Sequence, residues 1–472
     1  MIKLRLGAVR PVHRDHARRT MRQVGRHIDP RNHIAYSFTG DPRLHHWAVI
    51  YDNAIRALVH LRTGQISKAR QTIDYFIDNA AIRKTGYLLR SGKRVPRAGW
   101  IVNIIDGSAA RPGGRGVEMV AHAGPNAYLG LAAAHLFSVT RATRYLRFAR
   151  ERWELLKDLQ NETVGDPNFG GVRMGPLGAP NSTAQHLEEN RQNPTFYEFY
   201  NGEHAADFRS FSLLMAGVDP ALRGRYEHAA ELILAWDRVI WDHSRCLFAI
   251  GTTERRYYDG NIGRWVDPGV IPMWPLDTNA LKISSYGIDG LESFGPGTAE
   301  ALRKSIDDNF LVEVGVGKAS VKGYDFVTHE DRARLVSYEE RGPRGLTKVK
   351  VGRGREPLLS DEWSTWVAFA DLRLAADYQK KGNFAAAKRS LAAYRSNALD
   401  NAMRTAIPTR EGELAYPYAH PLPYALNKPV GFGWNTHHKP FALIGACARV
   451  LGLVRFDPFL PRGGAFSTTI KL

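Results

Sequence analysis

Apolar positions recur along the chain with a helical period and are interrupted at regular places. In IYDNAIRALVHLRTGQISKARQTIDYFIDNA, residues 50–80, Ile55, Leu58, Val59 and Leu61 share one face. A break at Thr63-Gly64 follows, and Ala69, Ile73 and Phe76 resume the period. That is a helical hairpin with a glycine stop. The same plan returns in GPNAYLGLAAAHLFSVTRATRYLRFARERWELLKDL and in GEHAADFRSFSLLMAGVDPALRGRYEHAAELILAW, broken at Asp219-Pro220. PLDTNALKISSYGIDG with GPGTAEALRKSIDDNFL makes a fourth pair, and residues 360–399, broken at Gly382-Asn383, a fifth. NTHHKPFALIGACARVLGL is a single last helix.

One polar residue marks the start of each first helix: Asp52, Asn126, Glu203, Asp277, Glu362 and His437. Their spacings are 74, 77, 74, 85 and 75 residues. A near-constant period means one supersecondary unit used repeatedly. Six first helices imply an all-α (α/α)6 toroid, with the whole chain, 1–472, as one catalytic-type domain. The N-terminal segment 1–36, with HRDHARRTMRQVGRHI, supplies the missing partner of the last helix and closes the ring. The long connections between hairpins are expected as irregular loops rimming one end, because loops of this length are commonly functional.

Composition narrows this little. The chain is 44% hydrophobic and 24% charged, as soluble globular proteins are. Its net charge of +18 favours anionic partners. No nucleic-acid-binding motif accompanies that charge. Two cysteines, Cys246 and Cys447, make neither a zinc site nor a disulfide framework, and are read as reduced thiols. No metal or cofactor is implied. No apolar run is long enough to span a membrane, and no signal peptide is legible, so the default location is cytoplasmic unless a leader was removed.

The stretches YDNAIRALVHLRTGQISKA, GPNAYLGLAAAHL, FGGVRMGP, YNGEHAADF, SDEWSTWVAFADLRLAADYQKKGN and the closing RFDPF occur in this order over Ser37 to Phe459. In that order they resemble the six-hairpin glycosidase-like superfamily of polysaccharide-active (α/α)6 proteins. The resemblance implies an inverting glycoside hydrolase, a polysaccharide lyase or a sugar epimerase. Two departures stand out: Ala205 follows Glu203-His204 where such relatives often carry Asn, and the last helix opens on NTHHKP.

Glycoside hydrolysis takes a protonated carboxyl to serve the leaving oxygen and a second carboxylate to activate water. Glu203 is the candidate general acid. Asp207, one turn on, shares its face, and like charges there raise a pKa. Asp52 or Glu362 is the candidate base. Each of these carboxylates also fits a plain helix start, as a cap or as a charge complementing the helix dipole. Candidate substrate contacts are Asp207, His204, Tyr200, Asp277, Trp274, Asn126, Trp363, Trp434 and His437, an aromatic and polar set suited to a sugar. The expected partner is a carbohydrate, including an anionic one. A lyase or uronate epimerase on an acidic glycan would instead draw on His204, Tyr200, Arg173 and Asn126. A non-catalytic glycan-binding or scaffold protein is the third reading. The basic stretch 321–356 is either a loop over the cleft or a solvated face.

Overall fold

A computed structural model describes residues 9–30, 32–39, 46–79, 83–88, 94–106, 120–177, 195–259, 263–341, 347–420, 429–431, 434–435 and 441–459. Its helices in chain order are α1 (Pro11–Arg26), α2 (Ile50–Arg62), α3 (Ile66–Asp78), α4 (Ala123–Thr140), α5 (Thr143–Lys157), α6 (Gly202–Val218) and α7 (Arg223–Ile240). There follow α8 (Leu276–Leu291), α9 (Thr298–Phe310), the short α10 (His329–Arg334), α11 (Asp361–Lys380), α12 (Phe384–Tyr394), the short α13 (Asn401–Thr405) and α14 (Leu443–Leu453).

Burial divides the long helices into two kinds. On α4 the buried run Ala127–Phe137 is unbroken, so the helix is covered on every side. α3 buries only Ala69, Thr72, Ile73 and Phe76, a single stripe. A helix buried all round belongs to an inner layer and an amphipathic one to an outer layer. The packing follows suit. α2 packs on α4, α4 on α6, α6 on α8, α8 on α11, α11 on α14, and α14 back on α2. Outside them, α3 covers α2, α5 covers α4, α7 covers α6, α9 covers α8, α12 covers α11, and α1 covers α14.

All six inner helices are entered from an extended residue: Val49, His122, Asn201, Pro275, Ser360 and Ala442. These are the N-caps, and the Asn201 and Ser360 side chains accept from His204 N and Trp363 N. Asp52, Glu203, Asp277 and Glu362 therefore stand inside the first turn rather than at the cap.

A second device recurs at helix entry. Four residues after the cap, Asn53, Asn126 and Asn279 each bracket a neighbouring extended residue. Asn126 Oδ1 accepts from Ile101 N, and its Nδ2 donates to Ile101 O and His122 O. Asn53 does the same with Ala35 and Val49, and Asn279 with Phe248 and Pro275. Arg152 also donates to Asn126 Oδ1, at 3.0 Å. This corrects the sequence expectation for Asn126: its polar atoms fasten helix to strand and are not free for a sugar. Asn126→Ala is expected to lower unfolding stability by about 1–3 kcal/mol, since Ile101 loses both partners. Denaturant melts measure this, and activity per folded molecule should persist.

The expectation of irregular loops between hairpins needs a correction. The connections carry short antiparallel ladders. Phe199–Asn201 pairs with Gly251–Thr253, which pairs with Gly269–Val270. Tyr257–Asp259 pairs with Arg264–Val266, and Arg83–Leu88 with Arg94–Ile101. Aromatic and β-branched residues in short alternation favour a half-buried pleat over irregular loop. The 321–356 stretch likewise contains part of the hairpin Leu311–Val316/Ala319–Tyr324, then α10, then the hairpin Val336–Arg341/Thr347–Arg353. Two of its arginines, Arg332 and Arg355, are held by the buried Asp325.

Gly287 interrupts α8 at φ +63°, and a Cβ there would lie 2.3 Å from both the Arg373 guanidinium and the Asp377 carboxylate. Only glycine fits this kink. Cys447 is buried and Cys246 half-buried, and both are free thiols. Among the described residues, no helix is long and apolar enough to cross a membrane.

Candidate active site

The first two turns of four inner helices bring five carboxyl groups to one place: Asp52 on α2, Glu203 and Asp207 on α6, Asp277 on α8, and Glu362 on α11. Glu203 shares a hydrogen bond with Asp277 and feels Asp207 and Glu362. Glu362 in turn feels Asp52 and Asp277. All but Glu203 are buried, and Glu203 is half-buried.

Burial is the largest cause of every shift here. It holds Glu203 and Asp207 well above the ordinary carboxyl range, and the neighbouring carboxylates push in the same direction. Burial brings Glu362 up to about 8, although the Tyr51 hydroxyl donates to its Oε1 at 2.7 Å and the Trp366 indole favours its anion. Asp52 is raised to about 7, partly offset by Ser37. Asp277 is raised to about 7, with Thr278 and Glu203 favouring its ionised form. Both members of the Glu203–Asp277 pair are raised. Carboxyl groups packed this closely cannot all ionise together.

Three tyrosines that sequence reasoning missed surround the group. Tyr51 and Tyr128 meet edge to face, with ring centroids 4.4 Å apart. Tyr418 faces Glu362, Asp52, Asp277 and Glu203. It stacks on Phe326 at 5.6 Å, and Phe326 meets Trp363 at 4.9 Å, which gives the half-buried Trp363 a place in one aromatic wall. Burial and the carboxylates hold all three phenols protonated, as donors. Tyr51 had a signal, since it directly precedes Asp52. Tyr418 comes from a non-repeating connection and had none.

Several buried polar atoms in these first turns have no hydrogen-bond partner: Asp52 Oδ2, both oxygens of Asp207, Tyr128 Oη and His204 Nδ1. Tyr128 approaches Asp207 closely enough to favour its anion but stands outside good hydrogen-bond geometry. Buried orphan atoms are costly in a folded protein, and a polar ligand is one partner that would satisfy these.

The remaining sequence candidates fall as follows. His204 is buried against Gly124 and beside His122, and burial lowers it to about 3, so it is a neutral imidazole. Trp274 lies three residues before Asp277, but the Arg245 guanidinium covers its ring at 4.2 Å. It is therefore not an open stacking platform on that face. Tyr200 stands apart from the carboxyl group, with its hydroxyl bound by Glu254 and Asn161. Arg173, over the Tyr200 ring, is engaged by Glu254 and Tyr197 O. Trp434 lies in a two-residue strand, Trp434–Asn435, paired with Pro429–Gly431. His437 lies outside the described residues.

Two buried ionic groups lie behind the carboxyls. Lys282 Nζ contacts both oxygens of Asp237 at 2.6 and 2.8 Å, and Tyr286 donates to the same carboxylate at 2.6 Å. Its charge reaches Asp207. Asp361, beside Glu362, accepts from Arg449 Nε at 2.9 Å and from Thr405 Oγ1 at 2.7 Å, with His420 Nε2 at 3.1 Å. Burial pushes Asp361 up, but Arg449 and His420 more than offset it and hold it below its usual range. Among the described residues, no group of three or more His, Cys, Asp or Glu side chains is placed to hold a metal ion.

No protein-family profile matches the chain, and no curated protein matches it. Solved structures do. A sugar epimerase from a ruminal bacterium aligns over 94% of this chain and 100% of its own, with a TM-score of 0.57 at 10% identity. A cellobiose 2-epimerase from Bacillus thermoamylovorans aligns over 93% and 98%, with a TM-score of 0.55 at 10% identity. A glycoside hydrolase family 76 mannosidase from Bacteroides thetaiotaomicron aligns over 94% and 97%, with a TM-score of 0.54 at 14% identity. All three are (α/α)6 proteins of the six-hairpin glycosidase-like superfamily, and the chain shares their fold.

Proposed function

We propose that the chain is a glycoside hydrolase built on a closed (α/α)6 toroid, acting on an uncharged oligo- or polysaccharide with inversion. The observation that carries this reading is the grouping of five carboxyl groups and three phenols near the starts of the inner helices, which we take as the lining of one cleft. Glu203 is the general acid. Its raised carboxyl keeps the proton that a leaving glycosidic oxygen needs. Glu362, oriented by Tyr51, is the base that activates water once it ionises, near pH 8, with Asp52 as its neighbour. Glu203 and Asp277 are electrostatic neighbours, each acting on the other's proton. Asp277 therefore tunes Glu203, and the acid-base pair is Glu203 with Glu362. Asp207, Tyr128 and Tyr418 receive sugar hydroxyls.

An uncharged substrate is favoured by the pairing of the cations behind these carboxyls. Among the described residues, Lys282 is held by Asp237 and Arg449 by Asp361. A uronate would find those two cations already engaged, which weighs against the lyase reading.

The test is a panel of mannans, glucans and β-linked disaccharides, with product anomers followed by NMR and a parallel run in deuterium oxide. Hydrolysis with inversion, lost in Glu203→Gln, is the expected result. Solvent deuterium at carbon 2 of a released or isomerised sugar would replace this reading with an epimerase.

A further inference from the structure

After α14 the chain reverses at Arg455, which adopts φ +56°, and runs back into the protein. Phe456, Asp457 and Phe459 are all buried there. Asp457 Oδ1 accepts from Phe459 N at 2.9 Å and fixes the turn. The Phe456 ring meets His135 at 5.7 Å and lies under the Arg62 guanidinium. The Phe459 ring meets Tyr128 at 5.5 Å and 87°, and Trp366 at 5.8 Å and 85°.

Tyr128 is on α4 and Trp366 on α11, the second and fifth of six inner helices. These two helices are not neighbours in the packing order, so a ring that touches both lies between opposite sides of the inner layer. Edge-to-face contacts fix ring orientation as well as distance. Both rings that Phe459 meets this way carry a donor and lead to the carboxyls: Tyr128 packs on the Tyr51 ring, whose hydroxyl donates to Glu362 at 2.7 Å, and Trp366 stands one turn after Glu362 on α11.

We propose that Phe459 is a positioning residue for the carboxyl cleft: it forms the floor and holds Tyr128 and Trp366 where they serve Asp207 and Glu362. The RFDPF segment then does more than end the helical array, since one of its aromatic side chains reaches the chemistry through two others. This role rests on the carboxylate reading of the cleft. Among the described residues, the charged and titratable groups that act on the carboxyls are Tyr51 and Asp52 on α2, Tyr128 on α4, Glu203 and Asp207 on α6, Asp277 and Lys282 on α8, Glu362 on α11, and Tyr418.

Phe459→Ala removes the support, and both donors drift from their carboxylates. The anions lose stabilisation, so the pH at which the cleft ionises moves up, by about half a unit or more. kcat/KM falls by about tenfold or more, mainly in kcat, because misplacement by about an ångström suffices for such a loss. Phe456→Ala is the matched control: it removes the same side chain from the same segment but touches neither donor. Both variants melt at lower temperature than the parent. The discriminating measurement is melting temperature against pH from 5 to 9, which needs no substrate, with kcat/KM profiles wherever the glycan panel yields turnover. An upward shift in Phe459→Ala alone, largely restored in Phe459→Leu, is expected. Identical profiles for Phe459→Ala, Phe456→Ala and the parent would overturn the positioning role. A parent whose stability does not fall between pH 6 and 9 would instead remove the raised carboxyls themselves, and with them the acid-base reading.

Discussion

Glu362→Gln is expected to lose turnover by about 10²–10⁴-fold and, at pH 8, to melt above the parent enzyme. The two effects have one origin. Burial brings the Glu362 carboxyl to about 8, against an ordinary value near 4.5. Between those values the folded state binds a proton that the unfolded state releases. Stability therefore falls as pH rises through that window and is fully present only below it. Glutamine removes the titration, keeps an oxygen for the Tyr51 hydroxyl, and cannot serve as a base. The gain at pH 8 is on the order of a few kcal/mol at most, since each pKa unit is worth about 1.4 kcal/mol. At pH 5 parent and variant should melt close together. The comparison is made by thermal melts at both pH values. Parallel pH dependence in parent and variant would show that Glu362 is not held protonated by the fold. Asp52 and Asp277, both raised to about 7, leave the variant a residual downward slope.

Arg449→Met should have the opposite character: a large loss of stability with the cleft chemistry otherwise intact. Arg449 and Asp361 are both wholly buried, and His420 and Thr405 complete the carboxylate's partners. Removing the guanidinium leaves a buried anion short of its main counter-charge, a change that costs about 3–5 kcal/mol. The Asp361 pKa then rises, so the variant loses further stability as pH climbs above about 5. Exchanging both members for apolar side chains, Arg449→Met with Asp361→Leu, should recover most of the loss, because replacing a buried pair is far cheaper than breaking one. Urea unfolding of the single and double variants measures this. A single variant within about 0.5 kcal/mol of the parent would mean that Asp361 is held by its other partners.

The helical pairs were legible because each inner helix restarts under the same constraint. An extended residue must be followed by a first turn whose polar side chain has a partner or a purpose. That constraint also explains the error at Asn126. A polar residue at the start of an inner helix serves either the cleft or the helix-to-strand bracket. Asn53, Asn126 and Asn279 serve the bracket, while Asp52 and Asp277, one and two residues earlier in their own turns, face the cleft. Spacing alone cannot separate them, because a shift of one residue rotates a side chain by about 100°. Trp274 is placed by a different constraint. Its ring is covered by Arg245, which comes from a separate connection outside any local pattern. Tyr418 was missed because it arrives from a segment with no repeat. The short ladders were read as loop because each strand has only a few residues, too few for alternation to register.

The pairing of α1 with α14 has a consequence for synthesis. His16 and Tyr416, which meet at 2.7 Å, lie 400 residues apart, and α14 emerges later still. At about 5–20 residues per second, the first helix waits roughly 20–80 s for its partner. A conventional amphipathic helix would offer an apolar stripe to chaperones or to other nascent chains for that time. The buried face of α1 is instead largely His13, His16, Thr20 and Gln23, with only Ala17, Met21 and Val24 apolar, and its exposed positions are rich in arginine. A face of that kind stays hydrated until the last inner helix arrives, so the residue choice in α1 suits a segment made long before the helix it docks on.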